Sequence, residues 1–251
     1  MSRIAIVAAL EREVRPLVKS WRVNEREFDG RHFRFFEKDD VVLVCGGIGA
    51  QAARRAAEAV ITLFAPKVIM SAGFAGALDS ELKVADIILP LRVVNAGDGS
   101  SVTLERGEGV LVSFGSVASP EQKAKLRDSF AAQAVDMEAS AVACAAEARG
   151  VRFAVVKVIS DEFDFSFPVM ERFVDENGQL LEGRFAWFAA LRPWLWPQVG
   201  RLARNSGRAS RALCDWLSGD GLRKMDAAST STSSLASTSS DTPALQAVNR
   251  R

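Results

Sequence analysis

Short apolar runs rich in β-branched residues alternate along the chain with stretches rich in alanine. Ile4–Ala8, Val41–Cys45, Val68–Met70, Ile87–Leu89, Val110–Val112 and Phe153–Ile159 predict buried strands. Between them, Glu11–Lys19, Ala50–Phe64 and Met137–Arg149 predict helices. In the second of these, Ala52, Ala56 and Val60, with Ala53, Ala57 and Ile61, form an i, i+4 apolar face, and Arg54, Arg55 and Glu58 lie outside it. Strands without clean alternation, separated by helices, imply a sheet covered on both faces and hence an α/β sandwich. Function in such a fold belongs at the strand ends, in loops that lead into helices.

The pattern changes twice near the C-terminus. Residues 185–221 form a Trp- and Arg-rich segment: 185–197 hold three of the five Trp, followed by Arg201, Arg204, Arg208 and Arg211 at helical spacing beside Val199, Leu202, Ala203 and Leu213. That reads as a helix docked on the core with a solvated basic face. A sharper reading is a membrane-surface or lipid contact, where Trp and Arg are both favoured. From Asp226 onward Ser, Thr and Ala dominate, and such a segment cannot bury enough apolar surface to offset its ordering entropy. The expected organisation is one domain over residues 1–222 and a disordered, functionally silent tail over 223–251.

Composition then narrows the chemistry. The 251 residues carry 32 Lys and Arg against 31 Asp and Glu, a balance without the basic excess of a general nucleic-acid binder. There is one His, His32, and no Tyr, so a His-rich metal site is excluded and any histidine-based triad would rest on His32 alone. Acid–base work therefore falls mainly to carboxylates. Cys45, Cys144 and Cys214 are widely spaced and odd in number, as expected of reduced intracellular thiols. The apolar run at the N-terminus is far too short for a membrane span, and a cytoplasmic protein is expected.

Four segments could carry that chemistry. Ala9-Leu10-Glu11-Arg12-Glu13-Val14 turns a strand end into a helix. Cys45-Gly46-Gly47-Ile48-Gly49-Ala50 is a glycine turn opening a helix, and the backbone N–H groups of Gly47 and Gly49 are candidates to hold an anion. Ser71-Ala72-Gly73-Phe74-Ala75-Gly76 offers small residues after a strand, where a ligand could approach the backbone closely. The last pair is Val135-Asp136-Met137-Glu138-Ala139 and Ile159-Ser160-Asp161. Singly, each of these acids reads as a helix cap or a surface charge.

Together, in this order, the motifs resemble the purine nucleoside phosphorylase and nucleosidase superfamily, most of all its methylthioadenosine/S-adenosylhomocysteine nucleosidase branch. The resemblance spans roughly residues 3–165, with V-D-M-E-A and I-S-D its most specific part. It implies a three-layer α/β sandwich around a mixed central sheet, a homo-oligomer, a small nucleoside substrate, and no cofactor or metal. By position, Asp161 matches the general acid, Ser160 the residue that orients it, and Glu138 with Met137 the residues that hold the ribose. Glu13 matches the glutamate that activates water, and Gly73, Phe74 and Val117 fall along the substrate. Protonating N7 makes the purine a better leaving group, and a carboxylate beside the ribose stabilises the oxocarbenium character that develops.

A second carboxylate at the attack site favours water over phosphate, which it would repel. Phosphorolysis stays open through Arg12, Arg15 and the glycine turn. Phe74, Val117, the short segment between Leu89 and Val110 and the Trp-rich extension depart from the branch's pattern. They point to a larger or more apolar 5′ substituent than methylthio. The hopanoid-associated branch, which removes adenine from an adenosyl-lipid, is the alternative on that side. A nucleoside-binding protein that has lost turnover is the non-enzymatic one.

Overall fold

The computed structural model describes residues 3–165, 191–219, 221 and 222, together with the single positions 173, 178, 181, 184 and 188. The chain divides into two compact units, Met1–Asp215 and Trp216–Arg251. The site described below lies wholly in the first. The tail from 223, and with it the expectation of disorder there, falls outside the described residues, as does most of 166–190.

The first half follows the hydrophobic pattern closely. β1 (Ile4–Ala8), β4 (Val41–Cys45) and α2 (Ala50–Phe64) have the bounds read from the sequence, and α1 covers Glu11–Val18. Between α1 and β4 lies a hairpin the apolar runs do not announce, β2 (Arg22–Phe28) and β3 (Arg31–Lys38). β2 has no buried residue, so it offers no apolar face to read. Its turn is nonetheless legible: Asp29 and Gly30 both take positive φ, 51° and 70°, the mirror-image turn whose twist matches antiparallel strands.

The remaining elements are β5 (Val68–Ala77), β6 (Ile87–Ile88), β7 (Arg92–Asn95), β8 (Ser101–Thr103), β9 (Val110–Ser113), α3 (Pro120–Phe130), β10 (Ala134–Asp136), α4 (Ala139–Ala148), β11 (Arg152–Asp161) and α5 (Trp196–Ser218). One sheet joins the strands in the order β2-β3-β4-β1-β5-β10-β9-β7-β8, and β11 pairs with β5 and β6. Parallel and antiparallel pairings mix, as expected. α2 and α4 cover one face. Ala53, Ala56, Ala57 and Val60 of α2 and Val142, Ala145 and Ala146 of α4 meet Ala5, Val7, Val44 and Ile69 of the sheet. Alanine on both helices lets them lie close to each other and to the strands. α1 packs against β1 and β5, and Ser210 and Cys214 of α5 donate to the Arg12 and Glu13 carbonyls of α1.

The segment Ser71–Gly76, expected as a loop after a strand, is instead the continuation of β5. Glycine disfavours strands, but β11 runs alongside β5 from Val68 to Gly76, and that ladder overrides local propensity. A strand has two edges, and the second edge of β5 is split. β1 pairs with Val68–Ser71 and runs parallel; β10 pairs with Gly76 and Ala77 and runs antiparallel. Residues 72–75 lie in the gap, towards which both β1 and β10 end. This gap positions the site. Among the described residues no helix is long and apolar enough to cross a membrane.

Candidate active site

A cavity of about 170 Å³ opens at the gap. Glu13 enters from the helix after β1, Met137 and Glu138 from the turn after β10, and Ser160 and Asp161 from the end of β11. Phe74 and Val117 also line it.

Two glycines of β5 make room for the acids. A Cβ at Gly73 would stand 2.8 Å from Glu13 Oε2, and one at Gly76 would stand 2.8 Å from Asp161 Oδ2. The smallness of S-A-G-F-A-G thus serves, at these two positions, the protein's own carboxylates.

Asp161 is held on both oxygens. A register shift in β11 between Ile159 and Asp161, a β-bulge, places Ser160 as an extra residue opposite β5. A regular pleat would send neighbouring side chains to opposite faces; the bulge lets them meet. Ser160 Oγ donates to Asp161 Oδ1 at 2.8 Å. Lys123 Nζ, from α3, donates to Asp161 Oδ2 at 2.6 Å and to the carbonyls of Glu162 and Phe165 at 2.8 and 2.9 Å. Lys123 is buried with all three of its N–H donors used.

Glu13 is the opposite case. It is 5% exposed, and among the described residues its Oε2 has no hydrogen-bond partner. Burial, with the Glu138 carboxylate adding to it, pushes its pKa up to about 7, against the opposing pull of Lys157 and Arg12. Glu138 Oε1 accepts from the Gly49 N–H at 2.8 Å, and Oε2 from the Met137 N–H at 3.3 Å. Burial raises Glu138 as well, with Lys157 and these N–H groups opposing.

Beneath both glutamates lies an ion pair. Lys157 Nζ and Asp136 Oδ2 are 2.8 Å apart, at 2% and 0% exposure. Ser113 Oγ donates to Asp136 Oδ1 at 2.6 Å, and the Ala139 N–H donates to Oδ2 at 2.8 Å. Burial alone would lower the pKa of Lys157, but Asp136, Glu138 and Glu13 more than offset it and hold the ammonium charged. Cys45, by contrast, is raised by burial and then by Glu13 and Glu11, which leaves it a thiol.

The glycine turn differs from its reading as an anion cradle. Its N–H groups are already used, Gly47 on the Ala9 carbonyl at 2.9 Å and Gly49 on Glu138. Lys123, Lys157 and Asp136 were not picked out as site residues by sequence. Signals for two of them exist: Lys157 is a lone charge inside the apolar run Ala154–Ile159, and Ser119-Pro120-Glu121-Gln122 is a capping box that announces α3 and brings Lys123 inward. Of the C-terminal residues, Trp194 and Trp196 are exposed, whereas Arg201 pairs with Glu162 at 3.2 Å and stacks on Phe165. Among the described residues no cluster of three or more His, Cys, Asp or Glu could hold a metal ion.

The fold is that of the nucleoside phosphorylases and nucleosidases. A family model of the phosphorylase superfamily matches residues 3–112 and 107–186, and the chain belongs to that superfamily. A 5′-methylthioadenosine/S-adenosylhomocysteine nucleosidase of Staphylococcus aureus (strain Newman) is 29% identical, across 71% of this chain and 97% of the relative. The structure of a nucleosidase of that name from Colwellia psychrerythraea 34H, in complex with adenine, superposes with a TM-score of 0.57 at 25% identity, covering 64% of this chain and 83% of that one. Native futalosine hydrolase of Helicobacter pylori strain 26695 shares the fold with a TM-score of 0.64 at 19% identity, over 86% and 96% of the two chains.

Proposed function

We propose that the protein is a nucleosidase that hydrolyses the N-glycosidic bond of a 5′-substituted adenosine, of the methylthioadenosine or adenosylhomocysteine type, and releases adenine. The observation that carries this reading is Glu13: a buried carboxylate with one unpartnered oxygen, in one cavity with Glu138 and Asp161.

In this reading Asp161 gives a proton to N7 as the bond between N9 and C1′ breaks. Lys123 offsets the negative charge left on the carboxylate, and Ser160 fixes its direction. Glu138 holds the ribose hydroxyls and stabilises the positive charge that develops on the sugar. Water donates one proton to Glu13, and its oxygen forms the new bond to C1′. A base with a pKa of about 7 is poised for that task near neutral pH. Phosphate fits less well. The carboxylates of buried Glu13 and half-buried Glu138 lie on the side it would approach from, and the Gly47 and Gly49 N–H groups are taken. Arg12, which also lines the cavity, keeps phosphorolysis as the second reading.

Purified protein with methylthioadenosine, adenosylhomocysteine and inosine, each with and without phosphate, tests the proposal. Adenine release independent of phosphate is the expected result; absence of release from any nucleoside would sink it. Asp161→Asn and Glu13→Gln should each reduce kcat by about 10²- to 10⁴-fold, the usual range for loss of a general acid or base.

A further inference from the structure

The Trp- and Arg-rich segment takes no part in the reaction proposed above, yet its side chains are sorted by the fold. A single helical turn, Pro193–Leu195, leads into α5. Leu191, Trp194 and Trp196 are 56%, 70% and 57% exposed, the three most exposed large apolar side chains among the described residues, and they fall within one stretch of six. Scattered exposed apolar residues need no explanation, but a cluster of this kind marks a contact surface.

α5 continues that surface with charge. Trp196, Gly200, Arg204, Arg208 and Arg211 follow one another at spacings of three or four and are all exposed, so they share one outward face. The inward side is fixed to the core: Ala209 and Leu213 are buried, and Ser210 and Cys214 donate to the Arg12 and Glu13 carbonyls at 3.2 and 3.7 Å. From Leu191 to Cys214 there are five arginines and no acid. Arg201 alone of the five forms ion pairs among the described residues, with Glu162 and Asp164. Arg208 donates to the neutral Val84 carbonyl at 3.4 Å, and the next acid along the helix is Asp215, one turn past Arg211 and away from the tryptophans. Like charges three or four residues apart on a helix repel, and a negative surface laid over them relieves that repulsion.

Charge and side-chain type together select the occupant. A second copy docked on this face would set one cationic surface against another of the same sign. A bilayer carrying anionic lipid fits both ends of the face. Indole, with an apolar ring and a polar N–H, settles at the boundary between headgroups and hydrocarbon, and guanidinium binds phosphate. We propose that this face docks on an anionic phospholipid surface, with Leu191, Trp194 and Trp196 entering the headgroup layer and Arg204, Arg208 and Arg211 meeting lipid phosphates. The helix lies on the bilayer; among the described residues none is long and apolar enough to cross one. The inference does not depend on which reaction the active site performs.

Flotation of the full-length protein tests it, with vesicles of equal parts phosphatidylglycerol and phosphatidylcholine and with vesicles of phosphatidylcholine alone. Binding should be at least about tenfold stronger to the anionic vesicles at low salt, should weaken as salt rises, and should shift tryptophan emission to the blue. Arg204→Gln/Arg211→Gln should weaken it by about fivefold per arginine. Trp194→Ala/Trp196→Ala should weaken it about tenfold and abolish most of the emission shift. All four positions are exposed, so the variants should melt at the wild-type temperature. Absence of binding to the anionic vesicles would overturn the proposal. Equal binding to the two vesicle types, or affinity unchanged in either double variant, would do the same. Sedimentation without lipid should give one oligomeric state for the wild type and the tryptophan variant; dissociation of the variant would make the face an interface between copies and refute the lipid assignment.

Discussion

The two edges of β5 carry carboxylates into one cavity and treat them in opposite ways. On the edge paired with β11, Asp161 is tied down on both oxygens, by Ser160 and by Lys123. On the split edge, Glu13 is buried deeper, with one oxygen unpartnered and a neighbouring carboxylate in Glu138. Identical chemistry at the side-chain tip is set in two different environments, and in the proposed reading these suit two different roles. In the proposed reading, the Lys123 ammonium and the Ser160 hydroxyl stabilise the carboxylate that Asp161 becomes once its proton has left. A group that must take a proton from water needs an open lone pair and a pKa near the working pH.

The largest break in this contrast should come from Lys157→Met. It removes the cation beneath the split edge and leaves Asp136 buried and unpaired, for an expected loss of about 3–5 kcal/mol in unfolding free energy. Urea denaturation near neutral pH measures it; a loss well under 1 kcal/mol would mean that the pair does not hold the split edge together.

Glu13→Gln sharpens the contrast through pH. The pKa of Glu13 is raised in the folded protein, from an ordinary 4.5 to about 7. Its favourable contribution is therefore complete below about pH 4.5 and is lost as pH rises through about 7. The wild-type protein should lose up to about 3 kcal/mol across that window through this one group. Glutamine does not titrate, so the variant should gain on the wild type as the solution becomes alkaline. Parallel stability profiles for the two proteins would contradict the assignment.

Lys123→Met should have the smallest effect, because it loosens the clamp on Asp161 without removing the acid. Adenine release should fall about 10- to 100-fold in kcat, with KM moved less, and Lys123→Arg should restore part of it. An equal loss in both variants with KM rising instead would make Lys123 a contributor to substrate binding.

Much of the first half of the fold is visible in the sequence because its strands and helices carry their own apolar signatures, as Ile4–Ala8 and Ala50–Phe64 do. The β2–β3 hairpin is not, since β2 buries nothing and only Asp29-Gly30 marks its turn. Val68–Ala77 misleads in the other direction: its glycines read as a loop, and only the neighbouring β11 makes the segment a strand. Of the candidate site, the carboxylates could be picked out by motif. Their lysine partners could not be assigned, because a lysine in a strand or helix does not reveal which acid it will meet.

Local pattern, then, chose most element types in the first half of the chain, and the family resemblance carried by the motifs singled out Glu13, Glu138 and Asp161, since periodicity and motif are properties of neighbours in the chain. The state of each acid was decided elsewhere. Lys123 meets Asp161 across 38 residues, and Gly49 meets Glu138 across 89. Such contacts follow from which strands pair and where the second edge of β5 splits. Hydrogen bonding and desolvation act over a few ångströms in space, and only the folded chain fixes which groups come that close.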